Sequence, residues 1–466
     1  MRLKYRILTL AFLLFAASPA RAQEKAFNAE TFTLKNGMQV VLIPNHRAPV
    51  VNQQVWYRIG AIDEQRGHTG VAHFLEHLMF KGTEKVPAGQ FSRVVRAMGG
   101  DENAFTTYDF TVYHQSVSVE NLPKVMELEA DRMAHLTFPA KEVTSEHDVV
   151  MEERRMRTDN DPKTQFYEQL RAQLFVNSPY GSPVIGWMDE MKLLNRDEEV
   201  AFYKTWYAPN NAILIVSGDI TAAQLKPLAE KTYGAIPART VPARHWSQVP
   251  PLQGMERLVT HAHGIRQPFV ERLYRVTNYA QNKTDSLALQ VLENILDGGS
   301  ATRLYKTLVV EQKKVTGVSM GYDGDSLGDG EVSFGMTPAE GVTPEQAEQA
   351  LDDVLRAVVK SGVTADELRE AKDRLKDEAI YARDSLTTPG MVFGQALATG
   401  SSIDDIEYWP DNIEKVTAQQ VQGVAKKYLD PDNTGDHPFV SGWLLPVPGS
   451  ENEPPMPVQK PSEMVR

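Results

Sequence analysis

His73, Glu76 and His77 lie in the apolar run HFLEHLMF, residues 73–80, and their spacing suits metal chemistry. On a helix, side chains three and four positions apart project from one side, so the three groups are predicted to share a face. Two imidazoles at that spacing can take two corners of a tetrahedral zinc site, and a neighbouring carboxylate can act as general base. The alternative is a helix with two hydrogen-bonded core histidines and a solvated glutamate.

A third ligand has to come from another element, and the helical pattern over residues 139–158 offers candidates. Glu146 and Glu153 are seven residues apart and face the same way, whereas Glu152 points about 100° away. The chain contains no cysteine, so histidine and acidic side chains have to complete such a site. The pattern leaves the choice open, and it also allows Glu153 to be a surface residue of a charged helix.

The order of these residues resembles the pitrilysin/insulinase family of zinc metallopeptidases, the inverted zincins with the motif H-x-x-E-H. Glu153 follows His77 by 76 residues, within EHDVVMEERR. The similarity extends to GGDENAFTTYDFTVY (99–113), SPYGSPVIG (178–186), YAPNNAILIVSGDI (207–220) and TADELREAKDRL (364–375). In length the chain is similar to the short, two-repeat, dimeric members of the family, such as the zinc-bearing β subunit of mitochondrial processing peptidase.

The resemblance implies a role for each candidate residue. His73, His77 and Glu153 become the ligands of one Zn²⁺ per chain. Glu76 becomes the general base of peptide hydrolysis, and Glu146 an outer acid that orients the ligands.

Asn103 and Ala104 match family positions on an exposed edge strand that binds substrate. The resemblance implies that extended peptides add there as an extra strand, through backbone hydrogen bonds. If this strand is instead central and covered, its role is structural.

Family members with a complete site also use an arginine and a tyrosine, seven residues apart, in the other half of the molecule. The matching segment is RLYKTLVVEQKKVTGVSMGY (303–322), where Val309 and Thr316 occupy the two positions. Neither side chain supplies a guanidinium or a phenol. A small insertion in the alignment would bring Arg303 or Tyr322 into register instead.

This departure implies a heterodimer, in which this chain brings zinc and a related partner subunit brings the Arg/Tyr pair. The function indicated is a zinc-dependent endopeptidase that hydrolyses peptides or unfolded segments. Two alternatives stay open: a non-catalytic peptide-binding or assembly subunit, and a homodimeric peptidase that works without the pair.

An internal sequence repeat predicts two related domains. FYKTWYAPNNAILIVSGDI (202–220) and VAKKYLDPDNTGDHPFVSGWL (424–444) share an aromatic residue, a Pro/Asn turn and an apolar strand with Ser-Gly. We expect an α+β protein of two homologous domains, at 23–245 and 246–445, each a mainly antiparallel sheet packed with helices. The alternative is two unrelated helix–turn–strand joints that use the usual turn residues.

Local patterns fill in these domains. Periodicity predicts helices over 68–80, 88–98, 120–136, 139–158 and 364–385, and β-branched and aromatic residues predict one strand over 104–119. Residues 321–331 have the acids and glycines of a calcium loop, but Leu327 occupies a ligand position, so a hairpin turn is predicted. His261 and His263 are interpreted as ordinary surface or core residues.

The chain ends and the charge bear on localisation. Residues 1–22 have a basic start, a short apolar run and a small-residue ending, which predicts a secretory signal peptide cleaved after Ala22. Its removal changes the formal net charge from −12 to −16, because four basic residues and no acid are lost. We expect export to the periplasm, no membrane span, no nucleic-acid partner, and a flexible Pro-rich tail at 446–466.

Overall fold

The computed structural model describes residues 25–247, 249–250, 252, 254–433 and 439–449. The predicted signal peptide lies outside these ranges, as does the predicted tail beyond residue 449. The strands are β1 (Glu30–Thr33), β2 (Gln39–Pro44), β3 (Val50–Tyr57), β4 (Asp101–Thr106), β5 (Thr111–Ser118), β6 (Ala212–Gly218), β7 (Glu256–Ala262), β8 (Phe269–Val276), β9 (Val315–Asp323), β10 (Gly330–Pro338) and β11 (Phe439–Pro446).

Helices lie between the strands in both halves of the chain. They are α1 (Val71–Leu78), α2 (Gln90–Ala97), α3 (Leu122–His135), α4 (Ala140–Arg154), α5 (Pro162–Leu174), α6 (Met188–Met191), α7 (Arg196–Trp206), α8 (Ala222–Lys231), α9 (Lys283–Asp297), α10 (Pro344–Ser361), α11 (Ala365–Asp384), α12 (Thr388–Ala398), α13 (Ile403–Glu407), α14 (Trp409–Lys415) and α15 (Ala418–Tyr428). None of the helices in the described ranges combines the length and apolar composition needed to cross a membrane.

The strands form two sheets, one in each half of the chain. The first has the order β1-β2-β6-β3-β5-β4 and the second the order β7-β11-β8-β10-β9. Each sheet has one parallel pair, β2 with β6 and β7 with β11, and its other neighbours are antiparallel. Apart from the additional β1, the two orders are the same. The predicted α+β fold of two homologous domains is therefore confirmed.

The single strand predicted over 104–119 is wrong, because the segment folds into the hairpin of β4 and β5. The hydroxyl of Thr107 accepts the backbone N–H groups of Asp109 and Phe110, both at 3.2 Å, and closes the turn between them. Such a side-chain hydrogen bond competes with continuation of the strand. The hairpin turn predicted at 321–331 is confirmed, since it joins the antiparallel strands β9 and β10.

The first sheet is covered on both faces, by helices from different halves of the chain. Val55 of β3 faces the core of the first half, which includes Leu75 of α1 and Met126 of α3. The next residue, Trp56, faces the opposite side and packs in a cluster with Phe393 of α12. Helix α12 of the second half therefore covers one face of the first sheet.

The second sheet is covered in the reciprocal way. Leu273 of β8 and Val440 of β11 share a buried cluster with Phe166 and Leu170 of α5, which belongs to the first half. Each half thus buries an apolar sheet face of the other, and we expect the two halves to unfold together.

Candidate metal centre

Helix α1, which carries the H-x-x-E-H motif, has its start fixed by two neighbouring groups. Gly70 precedes it with φ +94°, a conformation that favours glycine, and a Cβ there would lie 2.6 Å from the carbonyl oxygen of Ile185. The partly buried carboxylate of Glu64 accepts the N–H groups of Gly70 and Ala72, at 3.0 and 2.9 Å. These contacts satisfy N–H groups of the first turn and set the direction of the helix.

His73 and His77 of α1 meet Glu153 of α4 at one point. Glu153 Oε2 lies 3.2 Å from His77 Nε2 and 3.8 Å from His73 Nε2. One ligand atom from each residue lies within 4.8 Å of the others. His73 and Glu153 are buried and His77 is partly buried. The fold therefore brings together the three residues that the family resemblance names as ligands.

This donor set fits zinc. Two imidazole nitrogens and one carboxylate oxygen are a known ligand set of catalytic zinc, with a fourth position left for water or substrate. The second oxygen of Glu153 is paired with Arg157 at 2.5 Å, so one oxygen faces the two histidines. Arg157 lies in the π-helical segment Arg155–Asp159 that continues α4, and π-helical turns are frequent at functional sites.

The surroundings of the site favour the metal-binding forms of His73 and Glu153 and the protonated form of His77. Burial lowers the pKa of His73 to about 3, so its imidazole is neutral at neutral pH. Burial raises the pKa of Glu153, but the hydrogen bond from His77 and the neighbouring positive charges together outweigh it and lower the pKa to about 2. Burial lowers the pKa of His77, but its hydrogen bonds to Glu146 and Glu153 outweigh this and raise the pKa to about 9. Metal binding would therefore displace a proton from His77.

Glu146 lies on the far side of His77 from Glu153. Its Oε1 lies 2.8 Å from His77 Nδ1, and its Oε2 is paired with the ammonium of Lys81. The two glutamates that the sequence left undistinguished therefore have different positions: Glu153 faces both histidines through their Nε2 atoms, and Glu146 contacts the other ring nitrogen of His77.

Glu76 is buried beside these groups, with a relative exposure of 8%. Its Oε2 accepts a hydrogen bond of 2.7 Å from the hydroxyl of Thr106 on β4. Burial raises its pKa, although the nearby His77 and the hydrogen bond from Thr106 act in the opposite direction. The alternative reading of the motif, with a solvated glutamate, does not describe this helix.

β4 lies at the edge of the first sheet and packs beside α1. Asn103 is exposed on it, and its side-chain oxygen accepts the N–H of the partly buried Ala104 at 2.9 Å. The alternative of a covered central strand is therefore wrong, since β4 pairs with β5 alone among the described strands.

Val309 and Thr316, the residues predicted at the positions of the Arg/Tyr pair, have different surroundings. Val309 packs against the hydrophobic core of the second half, and Thr316 is exposed on β9. The guanidinium of Arg303 is held by Glu367, at 2.9 and 2.6 Å. The hydroxyl of Tyr322 donates to a backbone carbonyl of the second half at 2.8 Å. Both side chains that an insertion would bring into register are thus engaged within their own domain.

Three contacts of the site are not among the residues singled out from the sequence: Lys81, Thr106 and Arg157. Lys81 and Arg157 each follow a predicted ligand by four residues, so helical spacing was a usable signal. Thr106 offered none, because its contact with Glu76 depends on where the β4–β5 hairpin turns.

Comparison with protein families gives two adjacent matches. The family model described as insulinase, peptidase family M16, matches residues 39–187. The model described as peptidase M16 inactive domain matches residues 194–375. The first match contains every candidate residue of the metal centre, and the second contains the segment 303–322.

Individual proteins agree with these matches. The zinc protease PqqE of Helicobacter pylori is 29% identical over 398 residues, which are 84% of this chain and 89% of that protein. The crystal structure of a protease from Helicobacter pylori, 28% identical, has a TM-score of 0.82 and covers 90% of this chain and 99% of its own. The first half of the periplasmic protease PqqL from Escherichia coli has the same fold, with a TM-score of 0.73 at 22% identity over 91% of this chain and 92% of its own.

Proposed function

Because the chain belongs to the insulinase family of peptidases, family M16, we propose that it is the zinc-bearing subunit of an endopeptidase. The observation that carries the proposal is the convergence of His73, His77 and Glu153 beside the buried carboxylate of Glu76. The neutral imidazole of His73, the imidazole of His77 after it loses a proton, and the ionised carboxylate of Glu153 provide the ligands. A separate acid, Glu76, is available for proton transfer.

The chemistry follows from the roles that these side chains can fill. A zinc ion held by the three ligands would supply Lewis acidity for the hydrolysis of a peptide bond. Glu76 accepts a proton from the attacking water and returns it to the leaving amine, as a general base and then a general acid. Thr106 fixes the carboxylate of Glu76, and Glu146 fixes the ring of His77.

The edge strand β4 supports peptides as the substrate class. An extended peptide can add to the edge through backbone N–H and C=O groups that every sequence has, so the demand on side chains is small. Asn103 and Ala104 lie on this strand, whose last residue, Thr106, contacts Glu76. A peptide paired with β4 would therefore run close to the general base. Peptides and unfolded segments can adopt this conformation, whereas folded domains cannot.

We further propose that the active form is a heterodimer with a related subunit that supplies an arginine and a tyrosine. The support is the presence of Val309 and Thr316 at the two matching positions, and the engagement of Arg303 and Tyr322 within their own domain. A homodimer would bring the same two unsuitable side chains, and a non-catalytic subunit would have no use for an intact ligand set.

The proposed location is the periplasm. It is supported by the signal-peptide pattern of residues 1–22 and by the fold shared with PqqL, which is described as a periplasmic protease.

Metal content and peptidase activity of matched variants test the proposed function. We expect one zinc per wild-type chain and cleavage of unfolded peptides by the assembly isolated from its own compartment. Glu76→Gln should keep the zinc and lose activity by about a hundredfold or more, because a general base contributes that much. Glu152→Gln, at an exposed glutamate next to Glu153, is the control and should change neither. Wild-type protein without zinc, or Glu76→Gln with normal activity, would contradict the proposal.

A further inference from the structure

We infer that Lys81 is a positioning residue for the ligand His77 and that it acts through Glu146. The inference rests on the proposed function, because it concerns how tightly the same site holds zinc. It is carried by the contacts of one carboxylate, whose two oxygens have different partners: Oε1 lies 2.8 Å from His77 Nδ1, and Oε2 is paired with Lys81.

Lys81 reaches this carboxylate from the same helical element as the ligand. The 3-10 turn Met79–Lys81 directly continues α1, and Lys81 follows His77 by four residues. One element thus presents the imidazole and the ammonium to a single acid on α4. The side chain of Glu146 is 9% exposed and that of Lys81 is 25% exposed, so the pair is largely withdrawn from water. It differs in this from surface ion pairs, which contribute little.

The backbone after Lys81 is held in place by the surrounding fold. The N–H of Thr83 donates to the carbonyl of Val86 at 2.8 Å, and the N–H of Thr137 donates to the carbonyl of Gly82 at 3.1 Å. The first bond closes the turn after Lys81, and the second attaches this turn to the segment after α3. The ammonium therefore reaches Glu146 from a defined position.

The consequence for the metal follows from ligand chemistry. A carboxylate that accepts the Nδ1–H of an imidazole fixes the ring and leaves Nε2 free to coordinate, and it strengthens Nε2 as a donor. His77 Nε2 is the atom that faces Glu153, at 3.2 Å. Without Lys81, one oxygen of a buried carboxylate loses its charged partner, and the orientation of Glu146 is no longer fixed. Among the ion pairs of the described residues, no other lysine or arginine is paired with Glu146.

Zinc affinity of the full chain, measured by competition with a chromophoric chelator, tests the inference without an activity assay. Lys81→Met should weaken zinc binding about tenfold or more, the range found when outer contacts of metal ligands are removed. Lys81→Arg keeps the charge and should bind within about threefold of wild type. Lys85→Met is the control and should bind as wild type, because Lys85 is 77% exposed and lies 3.6 Å from Asp131.

A double-mutant cycle separates action through Glu146 from a general loss of structure. Glu146→Gln should itself weaken zinc binding, and adding Lys81→Met to it should have no further effect. Thermal melting of the metal-free variants checks that they fold, and Lys81→Gln replaces Lys81→Met if the latter does not.

The possible results discriminate clearly. Equal zinc affinity of Lys81→Met and wild type would overturn the inference alone. The inference would also be overturned if Lys81→Met weakened zinc binding equally in the wild-type chain and in the Glu146→Gln variant. Failure of the wild-type chain to bind zinc would overturn the proposed function and the inference with it, so the two failures are distinguishable.

Discussion

Three glutamates lie beside His73 and His77, and their surroundings give them different protonation behaviour. Burial raises the pKa of Glu76. For Glu146 and Glu153 burial acts in the same direction, but the hydrogen bond from His77 and the other neighbouring cationic groups together outweigh it and lower the pKa of both acids. Carboxylates with pKa values pushed apart are typical of sites that need both fixed anions and a proton acceptor. The two acids that contact His77 are suited to holding a ligand or a metal, and Glu76 is suited to proton transfer.

Thr106→Val tests whether the hydrogen bond to Glu76 positions the base. Valine has nearly the same shape but no hydroxyl, so the buried carboxylate loses its 2.7 Å contact. We expect kcat to fall about tenfold with KM and zinc content unchanged, because a misplaced base affects the chemical step. The kinetics are measured on the assembly in which the wild type is active.

Thr106→Ser provides the matched control, since it restores the hydroxyl and should restore most of kcat. If Thr106→Val had wild-type kcat, the hydrogen bond would have no role in catalysis. A parallel rise in KM would instead indicate that β4 itself had been disturbed, because this strand is the proposed docking site for substrate.

Residues of this site differ in how far the sequence predicts them. The spacing of His73, Glu76 and His77 is local, so helical geometry alone predicts a shared face. The partnership with Glu153 joins two helices separated by 76 residues in sequence. Periodicity narrowed that choice to one face of α4, and only the family resemblance separated Glu153 from Glu146. The hydrogen bond from the hydroxyl of Thr106 to Glu76 could not be predicted from the sequence, because it depends on a tertiary contact between β4 and α1.

At the scale of elements, α1 begins beside two glutamates whose pKa values are raised. Glu64 accepts two N–H groups there, and burial raises its pKa to about 8, although those two donors lower it. Glu199 on α7 is buried, and neither of its carboxylate oxygens has a hydrogen-bond partner within the described ranges. Burial, followed by the charge of Glu64, raises the pKa of Glu199 well above its usual value. The helix that carries the motif is therefore packed against acids that favour the protonated form.

Glu64→Gln should change how stability depends on pH. The pKa of Glu64 is about 8 in the folded chain against an ordinary value of 4.5. Between these values the folded state keeps a proton that the unfolded state loses, so the wild type loses stability as pH rises from 4.5 to 8. Glutamine does not titrate, so the variant should gain about 3.5 kcal/mol relative to wild type between pH 5 and pH 8.

Urea unfolding of the metal-free proteins at several pH values measures this difference. Glu84→Gln, at an exposed glutamate, is the control and should differ from wild type by the same amount at every pH. A difference for Glu64→Gln that does not vary with pH would mean that Glu64 is ionised in the folded chain throughout the range.

Helix ends were easier to predict than strand ends. The helix expected over 364–385 is α11, Ala365–Asp384, and the hydroxyl of Thr364 accepts the N–H of Glu367 in a capping box. That signal is local and is written in the sequence. The break between β4 and β5 is also local, but it depends on the hydroxyl of Thr107 in a segment rich in β-branched and aromatic residues. Strand propensity was the stronger pattern there, so one continuous strand was predicted instead of two strands and a turn.

At the scale of the molecule, the reciprocal packing of α5 and α12 joins the halves. Gly394 of α12 sits against Trp56, and a Cβ there would lie 1.9 Å from a ring atom. Gly394→Ala should therefore destabilise the chain by about 3 kcal/mol through overpacking. Gly423→Ala is the matched control, because this exposed glycine of α15 has no such neighbour within 4 Å. It should stabilise by about 0.5 kcal/mol, since alanine is the better helix former.

Urea unfolding, followed separately by tryptophan fluorescence and circular dichroism, measures both variants. Joint unfolding of the halves predicts a single transition that shifts in both signals for Gly394→Ala. Two separate transitions, with one unmoved by the substitution, would show that the halves unfold independently. The internal sequence repeat predicted two domains, but it did not predict that each domain covers the sheet of the other with a helix. An apolar sheet face indicates that it is covered, but it does not indicate which helix covers it.

The proposed heterodimer makes the last prediction, and it concerns what this chain lacks. In this proposal Val309 and Thr316 occupy the positions of the arginine and the tyrosine, so the isolated chain should bind zinc but cleave peptides at least about a hundredfold more slowly than the native assembly. Native mass spectrometry of that assembly should show a second, related chain. Substituting its matching arginine by alanine should abolish cleavage and leave zinc bound to this chain. Full activity from the isolated chain, or an assembly of identical copies, would contradict the heterodimer while leaving the zinc site intact.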